Sequence, residues 1–143
     1  MYNAIDIARY VIFHENQAGR TISNLRLQKL LYFIQAQFLV AHHEPCFSDR
    51  IEAWDFGPVV PNVYHEYKIF GSSNIPASQN NNSNTICKND CTLIDNILQQ
   101  ASRYSTSQLV SITHNQKPWK NAYTRIYDNE ITNADILNYF EAK

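Results

Sequence analysis

From Ser23 to Ala41 the chain reads SNLRLQKLLYFIQAQFLVA, and at 100° per residue its apolar positions fall into two stripes, not one. Leu27, Leu30, Leu31, Ile34, Phe38 and Ala41 make the first stripe, and Leu25, Tyr32, Ala36 and Leu39 the second. Only Gln28 and Gln35 on one seam, and Arg26, Lys29 and Gln37 on the other, interrupt the apolar surface. A helix that is apolar on two sides needs neighbours on two sides, so the segment predicts a central, enclosed helix. Ser23 suits the N-cap, because its hydroxyl can accept from a first-turn N–H that has no partner within the helix.

Shorter elements surround it. Ala4, Ile7, Ala8, Val11 and Ile12 give a single stripe over a helix from Asn3 to Asn16, with Asn3 and Asp6 spaced as in a capping box and Gly19 closing it. After Ala41, His42-His43-Glu44-Pro45 ends the central helix, since proline disfavours the α region in the residue before it. Residues 46–56 read as extended, with weak alternation that suits a short hairpin or an extended arm. Gly57-Pro58-Val59-Val60-Pro61 reads as rigid punctuation before a helix that runs to Phe70, turns Val63, Tyr67 and Phe70 inward and stops at Gly71. Residues 72–89 are rich in Asn and Ser and read as an exposed surface loop. A further helix starts near Asp90, carrying Leu93, Ile94, Ile97, Leu98 and Ala101. A second starts at Ser105 with Gln108 three residues on, a third at Pro118 with Trp119, Ala122, Tyr123 and Ile126 apolar, and a last at Thr132 with Asp135. The reading is an all-α compact bundle of six or seven mostly short helices around a buried central one, with at most one small β-hairpin.

A chain of 143 residues suits one domain, spanning 1–143 with its exposed loop at 72–89. No apolar run is long enough for a membrane span, and MYNAIDIARY lacks the basic and apolar regions of a secretory signal. The expected location is therefore cytoplasmic, with no membrane partner. A net charge of −1 offers no long-range pull on nucleic acid. The charges are nevertheless sorted: residues 96–127 hold Arg103, Lys117, Lys120 and Arg125 and no acid, whereas 44–66 holds five acids against Arg50. The two segments either steer a partner or face one another in the fold.

Candidate chemistry is sparse. His42, His43, Cys46, Cys87 and Cys91 are zinc-ligand types, but their spacing does not give the two tight pairs of a common tetrahedral site. The three cysteines cannot all pair and are expected as reduced thiols, without a context that would activate a thiolate. The three glycines, Gly19, Gly57 and Gly71, are too far apart for a phosphate loop. No enzyme, metal or cofactor is expected. Aromatic residues are the richer signal, with Trp54, Phe56, Tyr64, Tyr67, Trp119 and Tyr123 gathered around the proline-containing turns as core, as partner-binding anchors, or as both. His114, four residues before Pro118-Trp119, reads as a helix-ending hydrogen bonder that can organise the turn presenting Trp119.

Leu27-Gln28-Lys29-Leu30-Leu31-Tyr32-Phe33, then Gln35-Ala36, Glu52-Ala53-Trp54, Gly57-Pro58-Val59, Thr113-His114, Pro118-Trp119, Ile131-Thr132 and Tyr139-Phe140 follow one another in an order that resembles the Panacea-domain family, which includes SocA-like antitoxins and phage-associated proteins. The resemblance implies a mostly helical antitoxin that binds and neutralises a toxin encoded nearby and, in the SocA-like subset, an adaptor that delivers the toxin to a Clp-type protease. Carried over by position, its motif residues are Gln28, Lys29, Trp54, Gly57, Pro58, His114 and Trp119; Phe56 and Tyr64 join them as candidate partner contacts. A nucleic-acid-binding regulator of a phage or toxin–antitoxin locus is the competing reading, resting on the acid-free 96–127 segment.

Overall fold

The computed structural model describes residues 1–77 and 85–142. Among them are seven α-helices and a small sheet: α1 Ala4–Gln17, α2 Asn24–His42, β1 Ile51–Trp54, β2 Gly57–Val59, α3 Pro61–Tyr67, α4 Lys88–Ala101, α5 Thr106–His114, α6 Lys117–Tyr123, β3 Glu130–Ile131 and α7 Asn133–Glu141. A 3₁₀ turn over Lys68–Phe70 extends α3. The fold is mostly helical, as expected.

The two stripes of α2 find their two sets of neighbours, because it contacts α1, α3, α4, α5, α7 and β2. Leu27, Leu30, Leu31, Tyr32 and Ile34 are fully buried or within 1% of it. At the roughly 1.5–3 kcal/mol gained by burying each large apolar side chain, this helix contributes the centre of the core. Its expected stripes are trimmed at the edges. Leu25 is 36% exposed at the first turn, and Ala41 is exposed in the last, because neighbours cover only the middle of the helix. The Ser23 hydroxyl accepts the Arg26 N–H, and the helix ends with His43 at φ 57°.

Capping divides the other helices. Ser105 and Gln108 form both halves of a capping box at α5, and Thr132 accepts from the Asp135 N–H at α7. Asn3 does not cap with its side chain. Instead the Ala4 N–H donates to Asp49 Oδ1 from 45 residues away, so a remote carboxylate replaces the local cap that the Asn3–Asp6 spacing suggested.

The sheet has order β2-β1-β3, all antiparallel. Trp54 lies opposite Gly57, which leaves Asp55-Phe56 as a two-residue turn. Three features depart from the sequence reading. The hairpin runs over 51–59 and not 46–56, with Gly57-Pro58-Val59 serving as a strand. A third strand at 130–131 closes against β1, pairing Ile51 with Ile131 and Glu52 with Glu130. Ile126 lies beyond the end of α6 and is fully exposed, because the chain must leave that helix to reach β3. Of the expected loop at 72–89, Ile75 and Ile86 are buried, the Ile75 N–H donates to the Ile22 carbonyl, and α4 starts at Lys88. Residues 78–84 of that loop lie outside the described residues.

Candidate partner-binding site at the hairpin tip

Of the five polar interruptions of α2, Gln28, Lys29 and Gln35 are buried, and each holds a non-helical segment by its backbone, whereas Arg26 is half-buried and Gln37 exposed. Gln28 Oε1 accepts the Val60 N–H at 2.9 Å, while its Nε2 donates to Asn24 Oδ1, whose own amide donates to the Tyr64 carbonyl. Lys29 Nζ donates to the Pro58 carbonyl at 2.7 Å. Gln35 Oε1 accepts the Cys46 and Phe47 N–H groups, and its Nε2 donates to the Phe47 carbonyl. Buried backbone groups must find partners, and here long amide and amine side chains supply them where no regular ladder reaches. Lys29 has no exposed surface, and burial pushes its ammonium pKa down to about 7. Gly57 lies directly over it at φ +109°, where a Cβ would sit 2.7 Å from Lys29 Cε and 2.8 Å from Thr113 Oγ1.

Above this floor, three rings from α5 and α6 hold the tip of the hairpin. Trp119 Nε1 donates to the Trp54 carbonyl at 2.8 Å. His114 Nε2 lies 2.9 Å from the Asp55 carbonyl, which makes Nε2 the protonated nitrogen. Tyr123 donates its hydroxyl to Asp55 Oδ1. The rings also pack on one another: His114 lies 4.2 Å from Trp119, and Trp119 stacks on Tyr123 at 4.5 Å and 18°. On the other side Trp54 packs edge-to-face on Tyr64 at 4.9 Å and donates its indole N–H to Glu52 Oε1. With the backbone of residues 54 and 55 fixed in this way, Phe56 points into solvent and is 65% exposed. A groove of about 670 Å³ opens beside it, walled by Asn24, Leu25, Trp54, Tyr64 and Tyr123.

The sorted charges meet through these rings and not through ion pairs. None of the cations of 96–127 pairs with an acid of 44–66 among the described residues; Arg125 instead binds Asp135 and the Glu130 carbonyl. Arg50 is shared by Glu52, Asp128 and Glu130. Among the described residues no three His, Cys, Asp or Glu side chains come together to hold a metal. Burial raises the thiol pKa of both Cys46 and Cys91, the opposite of an activated thiolate.

The nine residues singled out from the sequence therefore separate into two groups. Gln28, Lys29, Gly57 and Pro58 are buried and fasten the hairpin. Trp54, Phe56, Tyr64, His114 and Trp119 build its tip and the groove beside it. Asp55 was missed as a member although its carbonyl binds His114 and its carboxylate binds Tyr123; Asp55-Phe56 is not one of the glycine-containing pairs by which a two-residue hairpin turn announces itself in sequence. Asn24 was missed too: its i,i+4 spacing from Gln28 was a local signal, but the Tyr64 carbonyl it holds lies 40 residues away.

Residues 27–120 match the family described as antitoxin SocA-like, Panacea domain. Antitoxin SocA of Caulobacter vibrioides (strain NA1000 / CB15N) is 35% identical over 116 residues, covering 68% of this chain and 58% of that protein, so the chain spans somewhat more than half the length of this relative. No solved structure matches. The matched span begins inside α2 and ends inside α6, and so includes the fasteners and the three rings' anchoring tryptophan alike.

Proposed function

The chain belongs to the SocA-like, Panacea-domain antitoxin family, and from that premise we propose that it neutralises a toxin protein encoded nearby by binding it through the hairpin-tip face. The observation that carries the choice of face is Phe56: a large apolar side chain 65% exposed on a turn whose backbone is held by Trp119 and His114. An exposed aromatic on a rigid support loses little conformational entropy on binding, which is the property of an interface anchor. Trp54 and Tyr64, edge-to-face behind it, offer a preformed wall to the same partner. His114 and Trp119 act one step back, by positioning the tip.

Two modes of neutralisation are open to such a protein: blocking the toxin in a stable complex, or handing it to a Clp-type protease. Co-expression with the product of the neighbouring gene tests the reading. Rescue of growth by the parent chain, lost in Phe56→Asp at equal soluble level, supports it. Absence of rescue by soluble, folded parent chain against a toxic neighbour refutes the pairing. In rescued cells, toxin that disappears only when the protease is present identifies delivery, and toxin that persists in an isolable complex identifies blocking.

A further inference from the structure

The groove at the hairpin tip has a composition that asks for a particular occupant. Four aromatic rings line it, from Trp54, Phe56, Tyr64 and Tyr123, together with a single charged group, the carboxylate of Asp55; no lysine or arginine is among the lining residues. Asp55 Oδ1 accepts from Tyr123, while among the described residues Oδ2 accepts nothing and the side chain enters no ion pair. We propose that this groove receives an arginine side chain of the bound toxin, with the guanidinium against the rings and paired to Asp55. The proposal rests on the reading that the hairpin-tip face docks the toxin.

Charge around the groove agrees with a cationic guest. Glu52 and Trp54 are two apart on β1 and so share one face of the sheet, and Glu130 lies directly opposite Glu52 on β3. Arg50 is the one guanidinium shared among Glu52, Asp128 and Glu130. With Asp55 added, four carboxylates stand near the hairpin against two guanidinium groups, Arg50 and Arg125, the latter close enough to act on Asp128, and Asp55 alone of the four lines the groove itself. Glu52 also accepts the indole N–H of Trp54 at 2.9 Å, so negative charge sits at the positive edge of the ring and leaves its π-face more attractive to a cation.

Other occupants suit the site less well. An aliphatic anchor would cover the rings but would take the free oxygen of Asp55 out of water without a partner, which costs what any unpaired buried carboxylate costs. An acidic side chain would meet the carboxylate of Asp55 with no cation in the groove to offset it. Lysine would satisfy the charge, but its compact, strongly hydrated ammonium cannot lie flat against rings and reach a carboxylate with two parallel donors as a guanidinium does. Leu25 and Phe56 at the rim offer apolar surface for an arginine stem.

The test uses the full chain labelled with ¹⁵N, following the Trp54 indole N–H, which is assigned by its loss in Trp54→Phe. The probes are the capped tripeptides Ac-Gly-Arg-Gly-NH₂ and Ac-Gly-Leu-Gly-NH₂. The expected result is a saturable shift of that signal with the arginine peptide alone, weakened about fivefold in Asp55→Asn, the loss of one partly exposed charge pair. The carboxamide introduced by that substitution keeps an acceptor for the Tyr123 hydroxyl, so the tip stays assembled. Equal or tighter binding of the leucine peptide, or no saturable response to the arginine peptide from folded protein, overturns the proposal. Growth rescue by the parent chain is scored separately. Rescue without arginine binding removes this site and leaves the antitoxin reading standing, whereas arginine binding without rescue removes the antitoxin reading and leaves the groove as a guanidinium receptor.

Discussion

Lys29 Nζ and the Pro58 carbonyl are 2.7 Å apart in the interior, directly beneath the hairpin, and no carboxylate accompanies them among the described residues. Neutral lysine still donates this bond, though more weakly than the ammonium, and desolvation favours the neutral form, which is why the pKa falls to about 7. Above about pH 7 the amine holds the strand as a neutral donor.

A stability change with pH follows, with a definite sign. Between about pH 7 and the lysine value near 10.4 in the unfolded chain, the unfolded state binds a proton that the folded state has released. Stability therefore rises with pH across that window, and below about pH 7, where both states are protonated, the full penalty of the buried charge is present. Several tyrosines whose ionisation is opposed by burial, Tyr32 among them, bring a loss above about pH 9 as the unfolded chain begins to ionise. Urea midpoints measured from about pH 7 to 9 should show a gain of about 2 kcal/mol that is missing in Lys29→Met. An equal slope in parent and variant would mean that Lys29 is not the group responsible.

Gly57→Ala tests the same contact from above. The new Cβ would come within 2.7 Å of Lys29 Cε and 2.8 Å of Thr113 Oγ1, at a φ of +109° that residues other than glycine rarely adopt. Lys29 is pinned between the strand and the core and cannot swing aside cheaply. The variant should lose about 2–4 kcal/mol, read by denaturant titration. A loss under about 0.5 kcal/mol would show that the lysine moves freely and that the hairpin is not clamped.

Gln35 provides a third test on a different loop. Its side chain accepts from two backbone N–H groups and donates to a carbonyl at Cys46-Phe47. Gln35→Leu fills the same volume but leaves these groups unpaired, and should cost about 2–4 kcal/mol, with amide hydrogens of Cys46 and Phe47 exchanging faster. Unchanged exchange at those two amides would mean that another group holds the loop.

The helical part of the fold was legible because periodicity and capping are local. The two stripes of α2, the Ser105–Gln108 box and the Thr132 cap are all read within four residues of themselves. The polar positions of α2 were visible as an interruption, but their purpose was not, since Gln28, Lys29 and Gln35 find their backbone partners 11 to 32 residues away. The third strand escaped for the same reason: two residues, Glu130 and Ile131, carry no period, and only their register against Glu52 and Ile51 makes them a strand. The aromatic clustering pointed to the right surface because Trp54, Phe56, Tyr64, His114 and Trp119 do converge there. Which of them anchor and which support depends on exposure, which the sequence does not encode locally.

That division yields the sharpest prediction for the site. Phe56 is largely exposed and removes little from the core when truncated, so Phe56→Ala should change stability by no more than about 0.5 kcal/mol while weakening the complex with the toxin by about 2 kcal/mol or more. Trp119 is half-buried and supplies both a ring in the stack and the donor to the Trp54 carbonyl. Trp119→Ala should therefore destabilise the fold by about 3 kcal/mol and weaken binding only through the loosened tip. Trp119→Phe, which keeps a ring in the stack but cannot donate, should fall between the two in stability and recover most of the affinity. Thermal melts and calorimetric titration against the purified toxin separate these effects. If Phe56→Ala binds like the parent and Trp119→Phe, though folded, does not, then Trp119 itself is the contact and the tip serves only to hold it.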